Sequence, residues 1–241
     1  PHLRALAATS GIRALCFGRS SDAEVRADRI RETREGLFFE LALPEGRTEV
    51  RLRAFGRFMV SNALAAAAAG YALGLDIADI RQGLEAFTPV AGRLSVADLP
   101  DGIHLIDDTY NANPASMEGA IATLNHLRGD ARGLLVLGDM RELGAAAGAL
   151  HQDAGLQAAR SGASKLLVCG DFAGEVATGA RRGGTAPADV VAGPRADIQA
   201  ALLLELKRGD WVLVKGSRAM GMEAVVRAVQ DWSEPHRSPG N

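Results

Sequence analysis

Four short runs hold the residues best suited to chemistry. They are Asp107-Asp108-Thr109-Tyr110-Asn111-Ala112-Asn113-Pro114, Gly138-Asp139-Met140, Gly170-Asp171-Phe172 and Lys215-Gly216-Ser217-Arg218. A carboxylate in the first run can accept hydrogen bonds from ribose hydroxyls, as the acid of a dinucleotide fold does. Tyr110 adds a flat face and a hydroxyl. Asn113 suits a helix N-cap and Pro114 the first helical position. Helix capping leaves the two adjacent acids, the tyrosine and Asn111 unexplained. In the last run Lys215 supplies a point charge, and Arg218 can grip a carboxylate through paired hydrogen bonds. Ser217 suits a helix cap beside amides that an anion could approach. Glycine and capping residues are ordinary in strand-to-helix turns, so any single run is a weak sign. Several on one sheet edge read as a binding rim.

The stretches between these runs must form the elements that position them. Apolar runs at 104–107, 134–137, 165–169, 190–192 and 211–214 alternate with helical stretches near 114–128, 145–161, 172–182, 195–207 and 218–232. Such alternation implies right-handed crossovers and a parallel sheet covered on both faces. The expected fold is therefore α/β, ending in a doubly wound, mostly parallel, Rossmann-like domain. Ligands of such sheets bind beyond the carboxyl ends of the strands, where all four runs fall. Upstream, 12–17 reads as a strand after a short N-terminal helix. Residues 36–43 and 48–55 read as strands joined by the turn at 44–47. Residues 58–73 form an Ala-rich helix whose near absence of charge predicts burial on most sides. Asp76 is the expected N-cap of a helix over 77–86. Thr88-Pro89-Val90-Ala91-Gly92-Arg93 breaks the pattern, which sets the expected domains at 1–93 and 94–241.

Composition narrows the classes. The chain has 241 residues, 47% of them hydrophobic, with a formal net charge of -2. That length can bury a core without disulfide staples. The charge favours neither a nucleic acid nor an acidic membrane as partner. No apolar run approaches the roughly 20 residues that span a bilayer, so no membrane insertion is expected. Cys16 and Cys169 each sit in an apolar run that reads as a buried strand, without metal-ligand spacing. A reduced cytoplasmic protein follows. His2, His104, His126 and His236 form no cluster, so no protein metal site is expected. His151 reads as a helix residue packing on the sheet. The opening Pro1-His2-Leu3, without Met, reads as the start of a cut chain. No Gly-x-Gly-x-x-Gly follows a strand, which weighs against a dinucleotide oxidoreductase, and no Gly-x-x-x-x-Gly-Lys-Ser/Thr occurs.

The run DDTYNANPASM resembles a signature of the muramyl ligases, in the branch that adds D-alanyl-D-alanine. Leu137-Gly138-Asp139-Met140-Arg141-Glu142-Leu143-Gly144, followed by His151, is similar to that family's LGDMxELG...H pattern. Val214-Lys215-Gly216-Ser217-Arg218-Ala219-Met220 resembles its strand-ending KGSR loop. Gly56-Arg57 through Asn62-Ala63-Leu64-Ala65-Ala66 resembles its adenine-side helix, and Pro89-Val90-Ala91-Gly92-Arg93-Leu94 its interdomain segment. The ordered set spans about residues 12 to 232.

The resemblance implies an ATP-dependent ligase of peptidoglycan precursor synthesis. Such an enzyme phosphorylates the terminal carboxylate of UDP-N-acetylmuramoyl-tripeptide, and the amine of D-alanyl-D-alanine then attacks the acyl phosphate. ATP and Mg2+ are the implied cofactors, with the metal held mainly by the nucleotide and by parts outside this sequence. Residues 1–93 would be the C-terminal part of a central α/β ATPase-type domain, and 94–241 the domain that closes over the nucleotide. By motif position, Asn62, Arg93, Asp108, Tyr110, Asn111 and Asn113 are the implied ATP-side residues. Lys215, Ser217 and Arg218 are implied for the dipeptide. Lacking a P-loop, the chain alone is expected to be inactive, and its expected assembly is a monomer. Phe58 and Met59 stand where the family usually has His and often Asn. Phenylalanine cannot make a histidine's hydrogen bonds, so packing is expected to hold the base there. The alternatives are a sister ligase, such as folylpolyglutamate synthetase or another muramyl ligase, and a non-catalytic nucleotide-binding or interaction module.

Overall fold

The structure, a computed structural model, describes residues 6, 7, 9–11 and 14–233. Most of the N-terminal stretch expected to be helical lies outside the described residues, as do Ile12, Arg13, His2 and His236. The contacts divide the chain into two units, Pro1–Thr88 and Pro89–Asn241.

The first unit is a four-stranded sheet in the order β1-β2-β3-β4, formed by Phe17–Gly18, Val25–Thr33, Gly36–Leu43 and Gly46–Leu52. β1 runs parallel to β2 and the remaining pairs are antiparallel. Helices α1 (Phe58–Ala72) and α2 (Ile77–Glu85) cover one face. Phe39, Leu41, Val50, Val60 and Leu64 fill the core between them. The other face carries ion pairs such as Arg31–Glu49 at 2.8 Å and Arg51–Glu35 at 3.0 Å. Asp76 caps α2, its carboxylate accepting from the Ala78 and Asp79 amides, both at 2.9 Å.

Three expectations for this unit need correction. Strand β1 starts only at Phe17, and Cys16 precedes it, half-buried. Strand β4 ends at Leu52, short of residue 55. Helix α1 buries one stripe, Val60, Ala63, Leu64, Ala67 and Ala68, while Phe58, Ser61, Asn62, Ala66, Ala69 and Ala72 are exposed. Alanine favours helix and adds little apolar surface, so an uncharged helix can expose a face at small cost.

The second unit is a six-stranded sheet in the order β5-β6-β10-β7-β8-β9. The strands are Ser95–Asp98, His104–Asp108, Trp211–Lys215, Gly133–Leu137, Lys165–Val168 and Val190–Ala192, in that spatial order. All neighbours are parallel except the edge pair β5–β6. β7 and β10 are buried along their whole length, as strands covered on both faces must be. α6 (Arg195–Glu205) and α7 (Glu223–Ser233) pack on one face through Ile198, Leu202, Val225 and Val229. α3 (Pro114–Arg128), α4 (Ala147–Arg160) and α5 (Ala173–Arg182) form the other layer. α3 has the bounds its sequence predicts because Asn113 and Ser116 close a reciprocal capping box and Pro114 stands at its start.

The stretch expected to be one helix over 218–232 begins instead with a single 3-10 turn, Arg218–Met220. Gly221, in the left-handed region at φ 59°, separates that turn from α7. Cys169 is buried just beyond β8, where burial pushes its thiol up to about 11. It therefore stays protonated near neutral pH and is no nucleophile.

Candidate functional site

β10 lies between β6 and β7, and its register sets Lys215 beside Asp108 on one side and Leu137 on the other. The loops after these strands therefore meet at one carboxyl edge. α7, which follows β10, covers the opposite face from α3 and α4, which follow β6 and β7. Strands whose following helices leave on opposite faces open a crevice at that edge.

The three loops are bonded to one another. The Arg141 amide donates to Ser217 Oγ at 2.8 Å, and the Ser217 amide to the Asp139 carbonyl at 2.9 Å. Ser217 Oγ also lies 3.4 Å from the Ala112 carbonyl as donor. Lys215 Nζ reaches Asp108 Oδ2 at 2.5 Å and the Asn111 carbonyl at 2.9 Å. Burial holds the Asp108 carboxyl above the ordinary carboxylate range, although Lys215 and the Leu94 amide pull it down.

Around this junction the residues divide by exposure. Arg93 and Tyr110 are exposed, with the guanidinium 4.1 Å from the ring centroid. Arg218 is exposed and lies in a long ion pair, 3.8 Å to Glu223. Asn111 and Asn113 are exposed, but both side chains are engaged, Asn111 with the Ala112 amide and Asn113 with the Ser116 amide, each at 2.9 Å. Lys215 and Ser217 are buried. Ser217 makes no side-chain cap to the turn that follows it, because its hydroxyl is held by the Arg141 amide and Ala112. The structure thus gathers Arg93, Asp108, Tyr110, Asn111, Asn113, Lys215, Ser217 and Arg218 at one edge of the second unit. Asn62 belongs to the first unit. It lines a cavity of about 320 Å³ with Met59, Ala63, Ala66, Leu84 and Phe87, its amide 3.4 Å from the Met59 sulfur.

Sequence reasoning placed Asp139 and Arg141 in its motif runs but gave neither a role, and both order this edge. Asp139 is 1% exposed and accepts from the Asp171 and Phe172 amides at 2.8 and 3.1 Å, so it caps the start of α5. A Cβ at Gly170 would collide with that carboxylate, which accounts for the glycine. Arg141 is tied to Asp171 at 2.9 Å and to Asp139 at 3.4 Å. The signal available was the paired Gly-Asp at 138–139 and 170–171, which marks two close backbone turns.

His151 is structural. Its Nε2 accepts from the Met140 amide at 2.9 Å, and Nδ1 faces the Ala147 carbonyl at 2.7 Å. These partners fix the neutral tautomer with the proton on Nδ1, and the ring stacks on Phe172 at 4.5 Å. His151→Leu orphans the buried Met140 amide, which costs about 1–3 kcal/mol. The urea midpoint of the second unit is expected to fall accordingly; an unchanged midpoint contradicts the structural role.

The comparisons agree with this architecture. The family description "Mur ligase, glutamate ligase domain" matches residues 92–218, and "Mur ligase middle domain" matches residues 1–70. The chain is 36% identical over 213 residues to the UDP-N-acetylmuramoyl-tripeptide--D-alanyl-D-alanine ligase of Escherichia coli K12, covering 88% of this chain and 46% of that protein. A crystal structure of MurF from Acinetobacter baumannii superposes with a TM-score of 0.84 at 29% identity, over 95% of this chain and 50% of that one. MurF ligase from Thermotoga maritima, in complex with ADP, shares the fold with a TM-score of 0.76 at 23% identity, over 96% of this chain and 51% of that one. The chain thus spans about half the length of the relatives it matches.

Proposed function

Because the chain belongs to the Mur ligase family, we propose that it is the nucleotide-closing half of an ATP-dependent ligase. That ligase joins D-alanyl-D-alanine to UDP-N-acetylmuramoyl-tripeptide. The observation that carries this reading is the mutual bonding of three motif runs at one carboxyl edge, through Lys215–Asp108, Arg141–Ser217 and Ser217–Ala112. Relatives that bear the D-alanyl-D-alanine ligase name support the substrate choice, and the ADP complex of the Thermotoga protein supports the nucleotide.

In this reading the γ-phosphoryl group passes from ATP to the tripeptide's terminal carboxylate, leaving ADP. The dipeptide amine forms the new C–N bond and loses a proton, and the acyl C–O bond breaks to release phosphate. The chain's own share is binding. Arg93 and Tyr110 offer a cationic, aromatic surface to the nucleotide, with Asp108, Asn111 and Asn113 shaping its edge. Asn62, in the first unit, is assigned to the adenine side by its motif position alone. Arg218 is the exposed cation available to the dipeptide carboxylate. Among the described residues no group of three His, Cys, Asp or Glu side chains could hold a metal ion. Mg2+ is commonly bound by one or two carboxylates together with substrate phosphates, so in this reading it is held mainly by the nucleotide and by parts outside this sequence, and no step is assigned through it. No described helix is long and apolar enough to cross a membrane, and we take the enzyme to work in the cytoplasm as a monomer.

The test is amine selectivity in the full-length protein. Phosphate release from ATP with UDP-N-acetylmuramoyl-tripeptide should depend on D-alanyl-D-alanine and not on single amino acids or glutamate. Release driven equally by glutamate would favour the folylpolyglutamate-type alternative. The 241-residue chain alone, which has no P-loop sequence, is expected to release no phosphate above background. Turnover abolished by Asp108→Ala in this chain would contradict that.

A further inference from the structure

β6 ends with two carboxylates turned to backbone amides. Asp107 Oδ2 accepts from the Gly92 amide at 3.1 Å, and Asp108 Oδ1 from the Leu94 amide at 3.0 Å. The Tyr110 amide returns to the Gly92 carbonyl at 2.9 Å. Gly92 and Leu94 both lie in the left-handed region, at φ 77° and 53°. Leucine holds that conformation only where its surroundings fix it, and Leu94 is 4% exposed. A Cβ at Gly92 would press on the Tyr110 amide at 3.3 Å, so the approach also needs a glycine. Between these anchored amides, Arg93 is set over the Tyr110 ring.

The second oxygen of Asp108 is held by Lys215, whose side chain is only 1% exposed. Another donor of the same ammonium takes the Asn111 carbonyl. Lys215 therefore fixes both sides of Tyr110, through Asp108 and Asn111. Its partners are all internal, whereas Arg218, three residues on, is exposed.

We propose that Lys215 is a positioning residue for the nucleotide surface: paired with Asp108, it locks segment 92–94 so that Arg93 lies over the Tyr110 ring. This rests on the ATP reading above, and it moves Lys215 from the dipeptide group to the nucleotide group. Its charge is spent on the protein, and its effect reaches the ligand through Arg93.

Two measurements test this, one independent of catalysis. In the chain as it stands, Lys215→Met keeps the length of the side chain and removes its charge. Amide exchange at Gly92 and Leu94 should quicken by about tenfold or more, the worth of a charge-assisted bond. The amides of Leu135 and Leu213, inside β7 and β10, should stay protected. If Lys215→Met does not fold, the pair Lys215→Met with Asp108→Leu replaces the buried ion pair by apolar groups, a change cores often tolerate. Because Asp108→Leu itself removes the Leu94 acceptor, the quickening is read in that pair at Gly92, whose acceptor Asp107 remains. Unchanged exchange at Leu94 in folded Lys215→Met, or at Gly92 in the folded pair, overturns the proposal.

In the full-length enzyme, Lys215→Met should raise KM for ATP by about tenfold and leave KM for the dipeptide within about twofold. Combined with Arg93→Ala, it should add little to the loss from Arg93→Ala alone, because both act through one surface. A rise confined to the dipeptide KM overturns the proposal and returns Lys215 to the dipeptide. Quickened exchange in a protein that uses no ATP would leave the lock standing and remove the nucleotide reading.

Discussion

Arg218→Ala in the full-length ligase is expected to raise KM for D-alanyl-D-alanine by about tenfold or more, with KM for ATP changed by less than about threefold. Arg218 is exposed at the carboxyl edge, and its ion pair to Glu223 is long at 3.8 Å. An exposed pair of that length contributes little, so the guanidinium is free to turn to an incoming carboxylate. Arginine can meet a carboxylate with two parallel hydrogen bonds, and bonds to charged groups are worth roughly 1.5–3 kcal/mol. The turn that carries it is braced by Arg195, which donates to the Met220 and Gly221 carbonyls at 2.8 and 3.1 Å. The dipeptide amide, which lacks the charge, should be a poor substrate for the wild type and should lose little further in the variant. Equal losses for acid and amide would mean that Arg218 does not read the carboxylate.

The largest effect on stability is expected at the crossing of α4 and α5. A Cβ at Gly179 would overlap the Gln152 carbonyl, and one at Gly155 would overlap the Val176 carbonyl. The two backbones therefore touch with no room for a side chain. Gly179→Val should destabilise the second unit by about 3 kcal/mol or more, because backbone cannot yield as a flexible side chain does. Serine at exposed Gly174, where a Cβ meets nothing within 4 Å, is the control and should cost far less. The comparison is read from denaturant midpoints at constant m-value. A Gly179→Val midpoint equal to the control's would show that the helices can separate without penalty.

Much of the second unit is legible in the sequence. The buried runs and their intervening helices recur where the alternation places them, and Asn113-Pro114 marks the start of α3 because capping chemistry is local. Edge strand β5 is not legible: Ser95-Val96-Ala97-Asp98 is short and half-exposed, and only its pairing with β6 makes it a strand. Strand β2 is hidden for a different reason. Its exposed positions are Arg29, Arg31 and Thr33, with Asp28 and Glu32 half-buried, and a register shift between Asp28 and Arg31 breaks the alternation that would reveal it. Gly155 and Gly179 stand inside helices where glycine is unfavourable, a sign of close packing that periodicity alone does not use.

The site is legible by residue type and not by direction. Lys215, Ser217 and Arg218 are polar residues within four positions of one another, yet two turn inward and one outward. The partner that turns Lys215 inward is Asp108, 107 positions earlier in the chain. Ser217 is held by the Arg141 amide, 76 positions earlier. Neither separation shows in local spacing. Asp108 carries the same lesson, since a carboxylate that looks open to a ribose from its neighbours in sequence is engaged on both oxygens, by Leu94 and Lys215.

In the proposed reaction the full-length protein makes an acyl phosphate of UDP-N-acetylmuramoyl-tripeptide and passes the acyl group to D-alanyl-D-alanine. The most direct test labels the tripeptide's terminal carboxylate with heavy oxygen and follows both products by mass spectrometry after reaction with ATP. One labelled oxygen is expected in the released phosphate, with a nucleotide product heavier by one D-alanyl-D-alanine less water. Unlabelled phosphate, or a product that has gained a single amino acid instead of the dipeptide, would contradict it.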